Sequence, residues 1–289
     1  MPESGTDMLR KLVFLSDFGL ADGAVSAMKG IAYGVDGNLI ISDITHEITP
    51  FNIREASYRL FQVVDFWPEG TVFVSVVDPG VGSERRSVVV ELSGSRFVVT
   101  PDNGTLTHLY RTGRVLSARE IDESVNRREG SAGSYTFHGR DVYAFTGARL
   151  AGGVIDYSRV GKPVDIDTLI RFEKDNVRIS GNSIIGTVEI EDVRFGHLWT
   201  DIPAEEMKKM KMRPGDELQV EISSGEKIVY NAEVPFCNTF YDVSEGESLI
   251  YINSMMRVAI GIHQGSFAEL YGVRTGSDCR IRISGSEVG

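Results

Sequence analysis

Three side chains whose types together can activate a water fall where the chain is expected to turn: the carboxylate of Asp78, the guanidinium of Arg85 and the imidazole of His138. A carboxylate or imidazole can accept water's proton, and an arginine can hold a carboxylate in a planar fork. Asp78 opens the stretch Asp78-Pro79-Gly80-Val81-Gly82-Ser83-Glu84-Arg85-Arg86, and His138 lies in Phe137-His138-Gly139-Arg140-Asp141. Two further carboxylates have binding potential. Asp17 follows a short apolar run, where an acidic residue can accept from a ribose diol. Asp192 precedes Val193-Arg194-Phe195-Gly196-His197-Leu198-Trp199, a mixture suited to holding an ammonium and stacking on a planar base. Each has a plainer alternative: a solvated turn at 78–86, a capping or core histidine at 138, a helix cap at Asp17, a hydrophobic plug at 192–199.

The elements that must position these groups can be read from hydrophobic pattern. Thr71 to Val77 is β-branched and aromatic without charge, as in a strand buried on both faces. Pro79 fixes its own φ and disfavours helix at Asp78, so Asp78 is expected at the strand tip. Ser87 to Leu92 is the next strand. Leu12 to Ser16 reads as the first strand, followed by a helix with Val25, Met28, Ala32 and Val35 at helical spacing. Asn38 to Ser42 is a strand, Ile53 to Phe66 a helix, Arg96 to Thr100 a strand, Leu106 to Arg111 a short helix, and Gly139 to Leu150 a helix. Strands alternating with helices define an α/β domain with a mostly parallel central sheet, here spanning 8–165. Residues 166–180 read as a linker. Over 181–289 the pattern is β-rich, with five or six short strands and one helical piece near Met207 to Met210, as in a small β-barrel.

Bulk properties narrow the function. The chain has 289 residues with 41 acidic and 30 basic side chains, a formal net charge of −11. That argues against a nucleic-acid partner held through phosphates. Two cysteines, Cys237 and Cys279, supply neither a disulfide framework nor a cysteine-rich zinc site. The five histidines include no pair at i, i+4, so no metal is expected. No P-loop is present, and Asp17-Phe18-Gly19-Leu20-Ala21-Asp22 lacks dinucleotide-binding spacing, so ATP and NAD are not expected. No apolar run approaches the roughly 18 residues of a membrane span. The first residues lack the apolar core of a signal peptide, which makes a cytoplasmic location the expectation.

Six motifs then fall in an order that resembles one family: Ser16-Asp17-Phe18-Gly19, Val77-Asp78-Pro79-Gly80-Val81-Gly82, Pro101-Asp102-Asn103-Gly104, Phe137-His138-Gly139-Arg140-Asp141, Phe195-Gly196-His197-Leu198-Trp199-Thr200 and Ile252-Asn253-Ser254. The chain resembles the S-adenosylmethionine hydroxide adenosyltransferases, relatives of the fluorinase and chlorinase enzymes, from about Leu12 to Ile283. The resemblance implies an N-terminal α/β domain, a C-terminal β-barrel and a homotrimer. It places the substrate S-adenosyl-L-methionine between one subunit's N-terminal domain and its neighbour's C-terminal domain. Water or hydroxide would attack C5′, giving adenosine and L-methionine without a cofactor. The water-activating set would be Asp78, Arg85 and His138, and Asp17 the ribose ligand. Asp192 and Ser254 would bind the methionine amino and carboxylate groups. Aromatic contacts would come from Phe195, Trp199, Phe240 and Phe51. The family usually has asparagine at the positions of His197 and His263, which bear on adenine recognition. The halogenase pattern has tyrosine where this chain has Asp78 and, in the fluorinase, serine where it has Gly139. Two rival expectations are a halogenase-like adenosyltransferase and a non-catalytic binder of adenosine or S-adenosylmethionine.

Overall fold

A computed structural model describes residues 10–173, 177–276 and 278–285. The chain divides into two compact units, Met1–Phe172 and Glu173–Gly289.

The first unit is built on a seven-stranded mixed sheet: β1 (Lys11–Ser16), β2 (Ile40–Thr45), β3 (Val72–Val76), β4 (Ser87–Leu92), β5 (Arg96–Pro101), β6 (Val115–Glu120) and β7 (Pro163–Val164), in the order β2-β1-β3-β5-β4-β6-β7. Neighbours β2, β1, β3 and β5 run parallel, and the remaining pairings are antiparallel. Helices are α1 (Ala24–Val35), α2 (Ile53–Val63), α3 (Thr107–Arg111), α4 (Glu123–Asn126) and α5 (Phe145–Ala151). Leu12, Phe14, Val72 and Val74 join Met28, Ala32 and Ala148 of α1 and α5 in one core. Leu15 and Val77 pack with Ala56 of α2 in another. This two-sided burial is why β3 carries no polar alternation.

The chain leaves β1 toward β2 on one side and returns to β3 on the other. The carboxyl ends of β1 and β3 therefore flank a topological switch point, where open α/β sheets leave a crevice. Ser16 pairs with Val76 in this register, so Asp17 and Asp78 emerge side by side at the same sheet edge.

The second unit is an antiparallel, nearly closed barrel. Its strands are β8 (Arg178–Ser180), β9 (Ser183–Asp192), β10 (His197–Pro203), β11 (Glu217–Ser224), β12 (Lys227–Pro235), β13 (Ser248–Ile252), β14 (Arg257–Ile262) and β15 (Cys279–Gly285). The order is β12-β11-β15-β9-β10-β14-β13, with β8 beside β9, and a Phe236–Ile250 bridge brings the two ends together. Short helices α6 (Ala204–Lys209) and α7 (Phe267–Tyr271) complete it. Ile184, Val188, Leu198, Val220, Ile260, Phe267 and Ile281 fill the interior.

Four expectations change. The eight strands exceed five or six: β8 falls in the stretch read as a linker, and β10 carries His and Trp at positions that turn out to be strand. The stretch 166–180 is shared out: a 3₁₀ turn at Ile166–Thr168 belongs to the first unit, Arg178–Ser180 pairs as β8, and 174–176 lie outside the described residues. The helix expected from Gly139 to Leu150 starts as a π-helical turn, Gly139–Ala144, before α5. Asp141 explains the widening: its carbonyl accepts from Arg128 N at 2.8 Å, a loop donor. β6 had no clear sequence signal, since Val115-Leu116-Ser117-Ala118-Arg119-Glu120 is half polar.

Gly147 of α5 lies so close to the sheet that an added Cβ would stand 2.5 Å from Val74 Cγ2 and 3.3 Å from Leu12 Cδ1. Val74 is fully buried and has nowhere to move. Gly147→Ala is expected to destabilise the fold by about 1–3 kcal/mol. A denaturant-unfolding midpoint equal to or above wild type would show that α5 can retreat from the sheet.

Candidate active site

The first unit holds the charged part of the site. Beyond β3, Asp78 is gripped by both edges of Arg85: Nε donates to Oδ1 at 2.7 Å and Nη2 donates to Oδ2. The two side chains are only 6% and 8% exposed. A bidentate fork is the geometry that makes burying an ion pair tolerable. Arg85 Nη1 donates to Ser87 Oγ at 3.2 Å, and that hydroxyl meets Tyr143 Oη at 3.0 Å. Burial raises the Tyr143 phenol well above the ordinary tyrosine range, so it stays neutral beside Arg85.

His138 closes the cluster. Its Nδ1 lies 3.2 Å from Arg85 Nη2, and its Nε2 lies 3.0 Å from Arg127 Nη2. Arg127 is in turn held by Glu123 Oε2 through Nε at 2.9 Å and Nη2 at 2.6 Å. Burial lowers the His138 pKa; Glu123 and Asp78 oppose the shift, while Arg85 and Arg127 add to it. The ring is therefore biased toward the neutral form.

Asp17 stands at the neighbouring strand end. Its Oδ2 accepts from Phe51 N at 2.8 Å, holding Phe51 at a φ of +68° with its ring 71% exposed. Asp17, Phe51, Asp78 and His138 line one cleft of about 290 Å³, together with Phe18, Phe137 and Gly139. Gly139 is sterically committed: a Cβ there would stand 3.1 Å from the Phe18 ring.

The second unit carries a different kind of surface. Asp192, Phe195, His197, Trp199, Phe240 and Ser254 all line one cleft of about 1280 Å³. The β9–β10 hairpin turns through Gly196 at φ +68°, with Gly196 N donating to Asp192 O at 2.7 Å. On β14 the small residues Ala259 and Gly261 leave room above the sheet. Trp199 and Tyr251 both pair with Ala259 from opposite sides, and Trp199 Nε1 donates to Tyr251 Oη at 3.3 Å. The His197 ring rests on Gly261, where a Cβ would fall 2.7 Å from its Cδ2. Phe240 tilts against His197 at 5.1 Å between centroids, and Phe195, 62% exposed, lies at 6.1 Å.

The polar edge of His197 is already used. Nδ1 lies 3.1 Å from Tyr251 Oη, and the ring also bonds the Ile262 carbonyl. Burial pushes the Tyr251 pKa up to about 12, so the phenol keeps its proton beside Nδ1. Burial lowers the His197 pKa, against the pull of Asp192. His263 likewise donates its Nδ1–H to Val243 O at 3.0 Å.

The sequence-derived residues thus fall into two groups, each brought together within one unit. Arg127, Glu123 and Tyr251 were missed. Glu123 opens a helix of four residues and Arg127 follows its last residue in extended conformation, too short a segment for a periodic signal. Tyr251 was readable only as a strand residue, although small Ala259 and Gly261 alternating with Val258, Ile260 and Ile262 mark a face kept open for larger neighbours. Among the described residues, no group of three or more His, Cys, Asp or Glu is placed to hold a metal ion, and no helix is long and apolar enough to cross a membrane.

An α/β unit with a buried Asp–Arg–His cluster at its switch point, followed by a barrel with an aromatic cleft, defines a narrow structural class. Comparison with known proteins agrees. The model of the SAM hydroxide adenosyltransferase N-terminal domain matches residues 12–161, and that of the C-terminal domain matches 186–280. The chain belongs to the SAM hydroxide adenosyltransferase family. It is similar to an (R)-S-adenosyl-L-methionine hydrolase of Salinispora tropica, with 32% identity covering 93% of this chain and 96% of that protein. It is also similar to a fluorinase of Nocardia brasiliensis, with 27% identity covering 94% and 96%. A solved structure of an uncharacterized conserved protein from Thermotoga maritima matches with a TM-score of 0.84 and 32% identity, covering 94% of this chain and 99% of that one.

Tyr251→Phe removes the hydroxyl that Trp199 and His197 share, and leaves His197 Nδ1 without that partner. A loss of about 1–3 kcal/mol in stability is expected. An unchanged unfolding curve would mean that the hydroxyl does not organise the aromatic cleft.

Proposed function

We propose that the protein hydrolyses S-adenosyl-L-methionine to adenosine and L-methionine. The observation that carries this reading is the buried Asp78–Arg85–His138 cluster opening on the same cleft as Asp17, in a chain of this family. Asp17 would hold the ribose, with Asp78 and His138 holding a water in line with C5′. The water oxygen bonds to C5′ as the C5′–S bond breaks, and sulfur keeps the electron pair as a neutral thioether. The water's proton passes to the Asp78–His138 pair. A neutral leaving group needs no acid, and the attacking oxygen grows acidic as it bonds to carbon, so alignment contributes most of the rate.

The aromatic cleft supplies the remaining recognition. Phe195, Trp199 and Phe240 would stack on adenine, with Phe51 approaching from the α/β unit of another subunit. His197 would contribute its ring face rather than a polar edge. Asp192 would pair with the methionine ammonium, and Ser254 would bond to the carboxylate. An acidic protein also favours approach of a sulfonium cation. The chemistry requires no metal or cofactor, and the cytoplasm is the proposed setting.

A halogenase-like reaction is the second reading, supported by the fluorinase relatives. Two residues favour water instead. Asp78 would set a negative charge beside a halide, and a serine Cβ at Gly139 would stand 3.1 Å from the Phe18 ring, which would have to shift to admit it. In halide-free buffer, protein-dependent adenosine and methionine are expected. Asp78→Ala is expected to lower turnover by about 10²-fold or more while binding changes little. A chloride-dependent product in place of adenosine would overturn the hydrolase reading in favour of the halogenase. Tight binding without any product would favour the non-catalytic binder.

Sharing of the site between subunits of a homotrimer is the other part of the proposal. It is supported by the division of labour between clefts: one carries the catalytic charges, the other the aromatic platform. Phe51, Val193, Phe195 and Tyr241 are exposed apolar side chains on the two clefts or their rims, suited to an interface. Asp78→Ala and Asp192→Ala subunits, each inactive alone, are expected to regain activity when mixed and reassembled, because some sites then have both halves intact. No recovery on mixing would place the whole site within one chain.

A further inference from the structure

Asp17 is held by one short loop. Residues 46–51, which follow β2, bond to the end of β1 and the turn after it at four points. Ile48 N donates to Ser16 O at 3.4 Å, Gly19 N donates to His46 O at 2.7 Å, and Phe51 N donates to Asp17 Oδ2 at 2.8 Å. The fourth contact joins two side chains: Ser16 Oγ and His46 Nδ1 lie 2.7 Å apart. His46 therefore grips the chain on both sides of Asp17, by its ring at Ser16 and by its carbonyl at Gly19. Phe51, on the same loop, takes one oxygen of the Asp17 carboxylate.

The contact between Ser16 and His46 is built to last. Both side chains are buried, at 0% and 3% exposure, so neither finds water if the pair separates. The other side of the ring is set as well. His46 Nε2 stands 3.1 Å from Asp43 Oδ1, and Lys29 Nζ of α1 lies 2.5 Å from Asp43 Oδ2. Ser16 Oγ also accepts from Phe18 N at 3.3 Å, which bends the chain directly after β1. Ile48 packs with Leu15, Ala56 and Val77, so the middle of the loop is fixed in the core. Asp17, Pro50 and Phe51 line the small cleft, and Ser16 and His46 do not.

We propose that His46 is a positioning residue for Asp17. By pinning Ser16 and Gly19 to the loop that carries Phe51, it fixes where the carboxylate stands, and with it the selectivity of the site for a ribose diol. The inference rests on the reading of Asp17 as the ribose ligand. Hydrogen bonds weaken steeply as distance and angle depart from their preferred range. A carboxylate set for a diol also rejects an analogue without hydroxyls, because it is then left unpaired. His46 meets no ligand and acts through the group that does.

The test measures binding of adenosine and of 2′,3′-dideoxyadenosine to the full-length protein by calorimetry. Wild type is expected to bind adenosine the more tightly. In His46→Leu and in Ser16→Ala that preference is expected to fall about tenfold, the effect of one buried hydrogen bond, with dideoxyadenosine binding unchanged. His46→Asn, whose amide can reach Ser16, should recover part of the preference. In an Asp17→Ala background, His46→Leu should have no further effect on it. Equal weakening of both nucleosides would make His46 a general support of the fold and overturn the inference, as would additive losses in the double variant. If His46→Leu does not fold, Ser16→Ala serves. Hydrogen exchange at the Phe51 amide, which reports the bond to Asp17 without any ligand, is expected to quicken about tenfold in either variant. Unchanged exchange there overturns the inference by itself. A wild type without preference for adenosine, but with quickened exchange in the variants, would uphold the positioning of Asp17 and overturn its reading as the ribose ligand.

Discussion

The buried fork between Asp78 and Arg85 is the constraint on which the polar cleft of the first unit depends. Two charges withdrawn from water are costly, and only two parallel hydrogen bonds with further partners offset that cost. The fold supplies both. β3 delivers Asp78 to the sheet edge, the Pro79–Gly82 loop turns the chain back, and β4 begins at Ser87, which accepts from the same guanidinium. Tyr143, fully buried in the π-helical turn, meets Ser87 and places its ring beneath the guanidinium at 5.6 Å. Removing either charge would strand the other in a site closed on one side by a phenol and on the other by an imidazole. Strand, loop and turn are thus held in one arrangement by a single ion pair.

Under the proposed reaction, the two clefts would divide the chemistry of a cationic nucleoside. One offers carboxylates and an imidazole in a space of about 290 Å³, small enough to order a water. The other offers rings in a space of about 1280 Å³. Stacking needs flat apolar walls, and in-line attack needs fixed charges, and these conflict when placed on the same few residues. Separate elements resolve the conflict: loops at the carboxyl edge of a parallel sheet aim charges, while adjacent antiparallel strands present rings side by side.

How legible this was in the sequence depended on the range of each interaction. Asp17, Asp78 and the parallel core strands were visible because apolar runs stop abruptly at Asp-Phe-Gly and Asp-Pro-Gly. His138 was visible as a polar group at a turn. Its partner Arg127 was not, because their contact depends on how the segment 128–137 folds back, and periodicity does not register that. β10 hid behind its own chemistry: His197 and Trp199 look like a loop motif, yet they occupy alternate positions of a strand. Tyr251 became meaningful only with the register that sets it and Trp199 on either side of Ala259. The π-helical turn was missed because Gly139 to Leu150 has good helical composition, and the diversion of one carbonyl to Arg128 leaves no local trace.

His197, at a position the proposed reading gives to base recognition, turns its polar edge inward. An asparagine there would have amide groups to offer a base. The imidazole is larger, and Gly261 gives it the necessary room on the adjacent strand. Once seated, it spends one nitrogen on Tyr251 and another ring bond on the Ile262 carbonyl, leaving a π face between Phe195 and Phe240. Burial keeps that ring neutral, and the raised pKa of Tyr251 keeps the phenol protonated. Recognition through a face is insensitive to pH and to the pattern of donors on the base. If the cleft takes a base, as proposed, the polar atoms of His197 are already engaged by Tyr251 and the Ile262 carbonyl, and selectivity would rest on the shape of the cleft and its other groups.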